Sequence, residues 1–100
     1  PEGARFTLYK GFQPRYRKPK CVEATKKYKA IADQVGLSLT TLSLAWCKTR
    51  FYVGSTIIGA TTMAQLKEDI DAFMPEVVLS QKTLDLIDDV HMECRDPMLD

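Results

Sequence analysis

The sequence predicts a mainly α-helical chain, with about four helices and one short strand in the order helix–helix–strand–helix–helix. Two observations carry that expectation. Apolar residues recur at helical spacing in four stretches, most of them introduced by a capping residue. Only "FYVGSTII" has the β-branched and aromatic density of a strand. A third observation places the chain in a larger setting. One strand cannot make a sheet, and buried backbone donors and acceptors without partners are costly. A second copy of the chain or a larger sheet must supply those partners, and the element order suits the end of a parallel β/α protein.

Each element has a local cause. Residues 1–20 hold two glycines and three prolines without periodicity, and are expected to form a loop. A first helix over 21–35, "CVEATKKYKAIADQV", sets Val22, Ala24, Tyr28, Ile31, Ala32 and Val35 on one side and lysines on the other. Gly36 is placed to end it in the left-handed conformation. Ser38 caps a second helix over 39–49, "LTTLSLAWCKT", whose nearly continuous apolar content from Leu42 to Cys47 predicts cover on more than one side. The strand is expected over 53–58. Thr62 and Gln65 have the spacing of a capping box, which opens a helix over 62–73 with Met63, Leu66, Ile70 and Phe73 as its apolar stripe. Ser80 caps a last helix over 80–93, with Leu79 and Leu84 spaced as a hydrophobic staple and Leu84, Ile87 and Val90 facing inward.

Composition narrows the class. A chain of 100 residues suffices for one small domain with a modest core. No apolar run approaches a membrane span, and no signal peptide is recognisable, so no membrane partner is expected. Cys21, Cys47 and Cys94 are odd in number and widely spaced. They suit neither a disulfide framework nor a metal site, which points to a reducing, cytoplasmic setting.

The net charge of +1 conceals an asymmetry: eleven Lys/Arg face three Asp/Glu in residues 1–50, and three face ten in residues 51–100. The basic excess is densest in "PRYRKPK", where Arg15, Arg17, Lys18 and Lys20 flank Tyr16. Such a cluster suits phosphates, in a nucleotide or a nucleic acid, or simply a solvated loop.

Two chemistries compete on these residues. In "AIADQVGLSLTTLS", Ala32, Gly36 and Leu42 fall where a helix-turn-helix has its small residue, its turn glycine and its apolar lock. Residues 23–49 with the basic arm are therefore a candidate DNA-binding module. Against it, the second helix offers bases only Thr40, Thr41 and Ser43, and two packed helices joined by a glycine turn would look the same. The other chemistry lies in "STIIGATTMAQLKED", residues 55–69. A helix N-terminus presents unpaired N–H groups and a positive dipole end to a phosphate. Gly59 and Ala60 allow close approach to the backbone, and Thr61 and Thr62 can donate to phosphate oxygens. Gln65, Glu68 and Asp69 lie one to two turns further, within reach of a sugar or purine edge. The same residues also make a well-capped helix with no ligand.

The stretch "STIIGATTMAQLKEDIDAF" resembles the strand-to-helix junction that closes the barrel of the aldo-keto reductases, in the subgroup of Tas-type reductases and potassium-channel β subunits. The likeness extends both ways, through "PEGARFTLYKGF", "IADQVGLSLTTLSLAW" and "LSQKTLDLIDDVH", and so covers nearly the whole chain. It implies that residues 1–100 are the C-terminal part of a (β/α)8 TIM barrel, with 1–20 as a cofactor-side loop. It implies NADPH as cofactor, a small carbonyl as substrate, and hydride transfer as the reaction. Gly59, Ala60, Thr61, Gln65, Glu68 and Asp69 would contact the adenosine end, with Arg5, and more loosely Arg15, in the loop that folds over it. The family's catalytic tyrosine, lysine, histidine and aspartate belong to the first half of the barrel. No catalytic residue and no metal ligand is therefore expected here, and His91, on the last helix, is not assigned that role.

Three departures from the family are visible. Gly59 and Ala60 stand where many relatives carry lysine and serine, and Gln65 where many carry arginine. Both changes remove cations that usually hold a 2′-phosphate, which leaves NADH admissible beside NADPH. Asp69 stands where asparagine is usual. Taken alone, the segment is also expected to self-associate through Trp46, Val53, Ile57 and Ile58, the surfaces meant for barrel strands.

Overall fold

A computed structural model of the chain describes residues 2–9, 11 and 18–97. It contains a single helical turn, α1 (Arg5–Leu8), and four longer helices: α2 (Pro19–Val35), α3 (Leu39–Thr49), α4 (Met63–Asp71) and α5 (Gln81–Glu93). Two of the basic residues singled out above, Arg15 and Arg17, lie outside the described residues.

The helix ends follow from adjacent side chains. Pro19 opens α2 two residues ahead of the expected Cys21, because a proline at the first helical position gives up a donor that has no partner there anyway. Gly36 ends the helix at φ 74°, and the Leu37 amide reaches back to the Ala32 carbonyl at 2.9 Å. Ser38 Oγ accepts from the Thr41 amide at 3.0 Å to open α3, and Ser80 Oγ from the Thr83 amide at 3.2 Å to open α5.

Packing is centred on α2. It lies against both α3 and α5, while α3 also holds α4. The core gathers Ile31 and Ala32 of α2, Leu42 and Ala45 of α3, and Leu79, Ile87 and Val90 from α5 and the residues before it. Tyr28, Trp46 and Leu84 pack on its rim. The radius of gyration is 14.3 Å, against about 13 Å for a compact chain of this length. Among the described residues no large side chain is completely buried. These helices thus form one layer around a thin core rather than a closed globule.

Two expectations need correction. Residues 53–58 carry no strand, and no strand occurs among the described residues. A strand exists through its neighbours, and among the described residues no second strand pairs with this segment. The apolar run expected to be buried lies open: Phe51 and Ile57 are 99% and 98% exposed. The described residues by themselves are helical and show no barrel, as a part of one would.

The second correction concerns α4. It ends at Asp71, two residues short of the expected Phe73, in a tight turn where Phe73 and Met74 donate to Ile70 and Asp71. Its expected stripe faces water in part, with Met63 and Ile70 exposed, whereas Asp69 and Ala72 are buried. Because α4 packs on α3, the covered face runs through Leu66, Asp69, Ala72 and Phe73, rotated from the stripe that hydrophobicity marks.

Candidate functional site

The junction that joins residues 55–61 to α4 is held by a reciprocal cap. Thr62 Oγ1 accepts from the Gln65 amide at 3.1 Å, and Gln65 Oε1 returns to the Thr62 amide at 3.3 Å. Gln65 Oε1 also accepts from the Thr61 amide at 2.7 Å and from the Thr61 hydroxyl at 3.1 Å. The sequence offers Thr61 and Gln65 as ligand contacts; in the structure they hold each other. What the junction leaves for an incoming group is the exposed stretch of Gly59 and Ala60, the Thr61 amide being already taken by Gln65.

Gly59 is open in a second sense. A Cβ built at this position would meet no atom within 4 Å, and its φ is not positive. Nothing in the described fold requires glycine there, and the same holds for Gly54; the position is open to a group that approaches from outside.

Asp69 sits below that opening. It is 6% exposed and lines a cleft of about 370 Å³ between α3 and residues 57–59. Thr40, Ser43 and Gly59 line the same cleft, and Leu39, Leu44 and Ile57 supply apolar walls. The Ser43 hydroxyl is already committed to the Leu39 carbonyl at 2.8 Å. This open cleft of mixed polarity, with apolar walls and a carboxylate and a threonine hydroxyl at its edge, has room for a small group with a hydrogen-bonding edge. Glu68 does not join it; it lines a separate hollow with Thr41 and Val77.

The cations are disposed elsewhere. Lys67 is ion-paired with Asp71, whose hydrogen bond raises its pKa. Lys48 lines the neighbouring cleft that Asp69 also borders, but its Nζ donates to the Met74 carbonyl at 2.9 Å and the Val77 carbonyl at 2.6 Å. On α2, Lys27 bridges to Glu93 at 2.6 Å and Glu23 at 3.3 Å. The remaining predicted contact, Arg5, has its side chain outside what the structure describes. The described junction therefore offers an open backbone stretch beside a small cleft, and no lysine or arginine is among the residues that line that cleft.

The helix pair proposed for DNA is accounted for by packing. Ala32 and Leu42 are buried in the core, 0% and 2% exposed, and Gly36 makes the turn between the helices. His91 lines an apolar hollow beside Tyr28, Trp46 and Ile87, away from the junction. Lys48 escaped the sequence reading; its only signal was a cation in the last turn of α3, a common position.

The family model of the aldo/keto reductase family matches residues 5–91, and the chain belongs to that family. Among relatives, it is 40% identical over 91 residues to "Protein tas" of Escherichia coli (strain K12), covering 91% of this chain and 25% of that protein. It is 34% identical over 92 residues to a "Probable voltage-gated potassium channel subunit beta" of Arabidopsis thaliana, covering 90% and 28%. An "Aldo-keto reductase" of Babesia bovis is 33% identical over 95 residues, covering 94% and 33%. The chain thus spans a quarter to a third of the length of these relatives. The matches give no support to a DNA-binding module.

Proposed function

We propose that the chain is the C-terminal, adenosine-binding segment of a nicotinamide-dependent aldo-keto reductase that reduces small carbonyl compounds by hydride transfer in the cytoplasm. The observation that carries this reading is Gly59: an unobstructed glycine with no conformational need for glycine, beside a cleft edged by Asp69, in a chain of this family. The cofactor supplies the hydride; the residues of this chain hold its far end. Gly59, Ala60 and Thr61 bring backbone close to the ribose and phosphates, Gln65 keeps that loop in place, and Asp69 meets the adenine edge. Glu68 and Arg5 are assigned to the periphery of the site. NADPH is the expected cofactor, although Gln65, engaged by the backbone, offers its 2′-phosphate no charge.

Among the described residues no helix is long and apolar enough to cross a membrane. Exposed Phe51, Tyr52 and Ile57 make the isolated segment prone to self-association, and sedimentation at increasing concentration measures it. The functional reading is tested by retention on immobilised adenosine 2′,5′-bisphosphate. Elution by free NADPH supports it. Failure to bind, or salt-sensitive binding to duplex DNA instead, overturns it.

A further inference from the structure

The last turn of α3 reaches across to the segment that follows α4. There Lys48 Nζ donates to two carbonyls, Met74 at 2.9 Å and Val77 at 2.6 Å. These carbonyls belong to a tight turn in which the Met74 amide donates to Asp71 and the Val77 amide to Met74. A single ammonium thus closes a turn onto the end of α4 and ties it to α3, where a cation also suits the negative end of the α4 dipole. The cap of α4 and its Lys67–Asp71 pair stay within the helix and its own junction. Asp69 is the one residue by which α4 borders the cleft between α3 and residues 57–59, and α3, residues 53–58 and α4 together line the neighbouring cleft that holds Lys48 itself.

We infer that Lys48 is a positioning residue for the nucleotide cleft: it sets the separation of α3 and α4 and thereby the place of Asp69 relative to Thr40 and Gly59, without touching the nucleotide. The proposal rests on the adenosine-binding reading above. It follows from leverage. α4 has only nine residues, its N-terminal end carries the ligand loop, and its C-terminal end is held through the turn that Lys48 closes. With that tether gone, α4 is held against α3 by side-chain packing alone and can tilt on it, and the slot widens. Asp69, the seventh of the nine residues of α4 and so close to the tethered end, moves with it.

The test separates positioning from stability. Lys48→Met keeps the aliphatic stem and removes the donors; Lys48→Arg keeps a charged donor. Lys27→Met serves as control, because it breaks a tether of similar kind between α2 and α5 at the opposite side of the molecule. All three variants of the 100-residue chain are titrated with adenosine 2′,5′-bisphosphate by calorimetry, and their thermal midpoints are recorded. Lys48→Met is expected to weaken binding about fivefold, at the low end of coupling between linked sites. Lys48→Arg should recover most of that loss, and Lys27→Met should lower the midpoint with unchanged affinity. Equal affinity of Lys48→Met and the parent chain overturns the proposal while leaving the adenosine site intact. An equal loss in Lys27→Met overturns it as well, since the effect is then general loosening. No binding by the parent chain removes the site itself and the proposal with it.

Discussion

Replacing Asp69 by asparagine should tighten the nicotinamide cofactor rather than loosen it. The position is 6% exposed and borders the same cleft as Gly59, so the substituted group stays in the slot and keeps its volume. A carboxylate only accepts hydrogen bonds. It can take an adenine amino hydrogen, but it sets a lone pair against the adjacent ring nitrogen, whereas an asparagine donates to one and accepts from the other. That exchange is worth about 1 kcal/mol. Charge adds to it. Taking roughly 10 Å as the span from adenine edge to phosphate and an effective dielectric constant near 20, the repulsion is about 1.7 kcal/mol, and salt reduces it to about 0.5 kcal/mol. The two contributions together give roughly 1.5 kcal/mol, about tenfold in affinity for NADPH. Binding of NADH, which lacks the 2′-phosphate, should tighten less. Calorimetry with both cofactors on both proteins measures this. Unchanged affinities throughout would refute the placement of Asp69 at the adenine. Weaker binding in the variant would show that the carboxylate is wanted there, for a ribose hydroxyl, and that the ring lies elsewhere.

Three further outcomes are expected. Gly59→Val should weaken NADPH binding while leaving the unfolding free energy within about 0.5 kcal/mol of the parent, because a Cβ there meets nothing within 4 Å; an unchanged dissociation constant removes Gly59 from the site. Thr62→Ala should lower stability by about 1 kcal/mol in urea unfolding, since the Gln65 amide loses its acceptor and the reciprocal cap opens. The chain should lose stability as pH rises past about 10. Hydrogen bonds to Glu93 and Glu23 raise the exposed Lys27 ammonium above 10.5, and burial raises the Tyr28 phenol above 10.0. Both folded-state values exceed the unfolded ones, so each contribution is complete below the unfolded value and fades as pH climbs through the folded one. Thermal midpoints that stay flat across that window, or an equal fall in Lys27→Met, would contradict the Lys27 contribution.

What could be seen in the sequence was what neighbouring residues decide. The caps at Ser38, Thr62 with Gln65, and Ser80, and the left-handed Gly36, each need only residues a few places away, and all appear in the structure. The run 53–58 failed for the opposite reason. Its β-branched residues state a preference, but pairing needs a second strand, and the described residues supply none beside it. The buried face of α4 was hidden by its own chemistry: periodicity follows apolar residues, and here a carboxylate, Asp69, occupies the covered row while Met63 and Ile70 face water. Lys48 was equally silent, because a lysine at the end of a helix announces nothing about the two carbonyls, 26 and 29 residues away, that it holds. Of the predicted contacts, Gly59 and Asp69 share a cleft, Thr61 and Gln65 hold each other, and Glu68 faces another hollow.

The central claim is that the segment around residues 57–69 receives the adenosine end of a nicotinamide cofactor. Amide chemical shifts of the isotopically labelled chain, followed during titration with adenosine 2′,5′-bisphosphate, test it most directly. Saturable shifts at Ile58, Gly59, Ala60, Thr61 and Asp69, with lesser ones at Thr40 and Ser43 across the cleft, are predicted. Shifts confined to the lysines of α2, growing without saturation and vanishing in salt, would contradict it, because they would mark unspecific attraction of phosphate to the basic half of the chain.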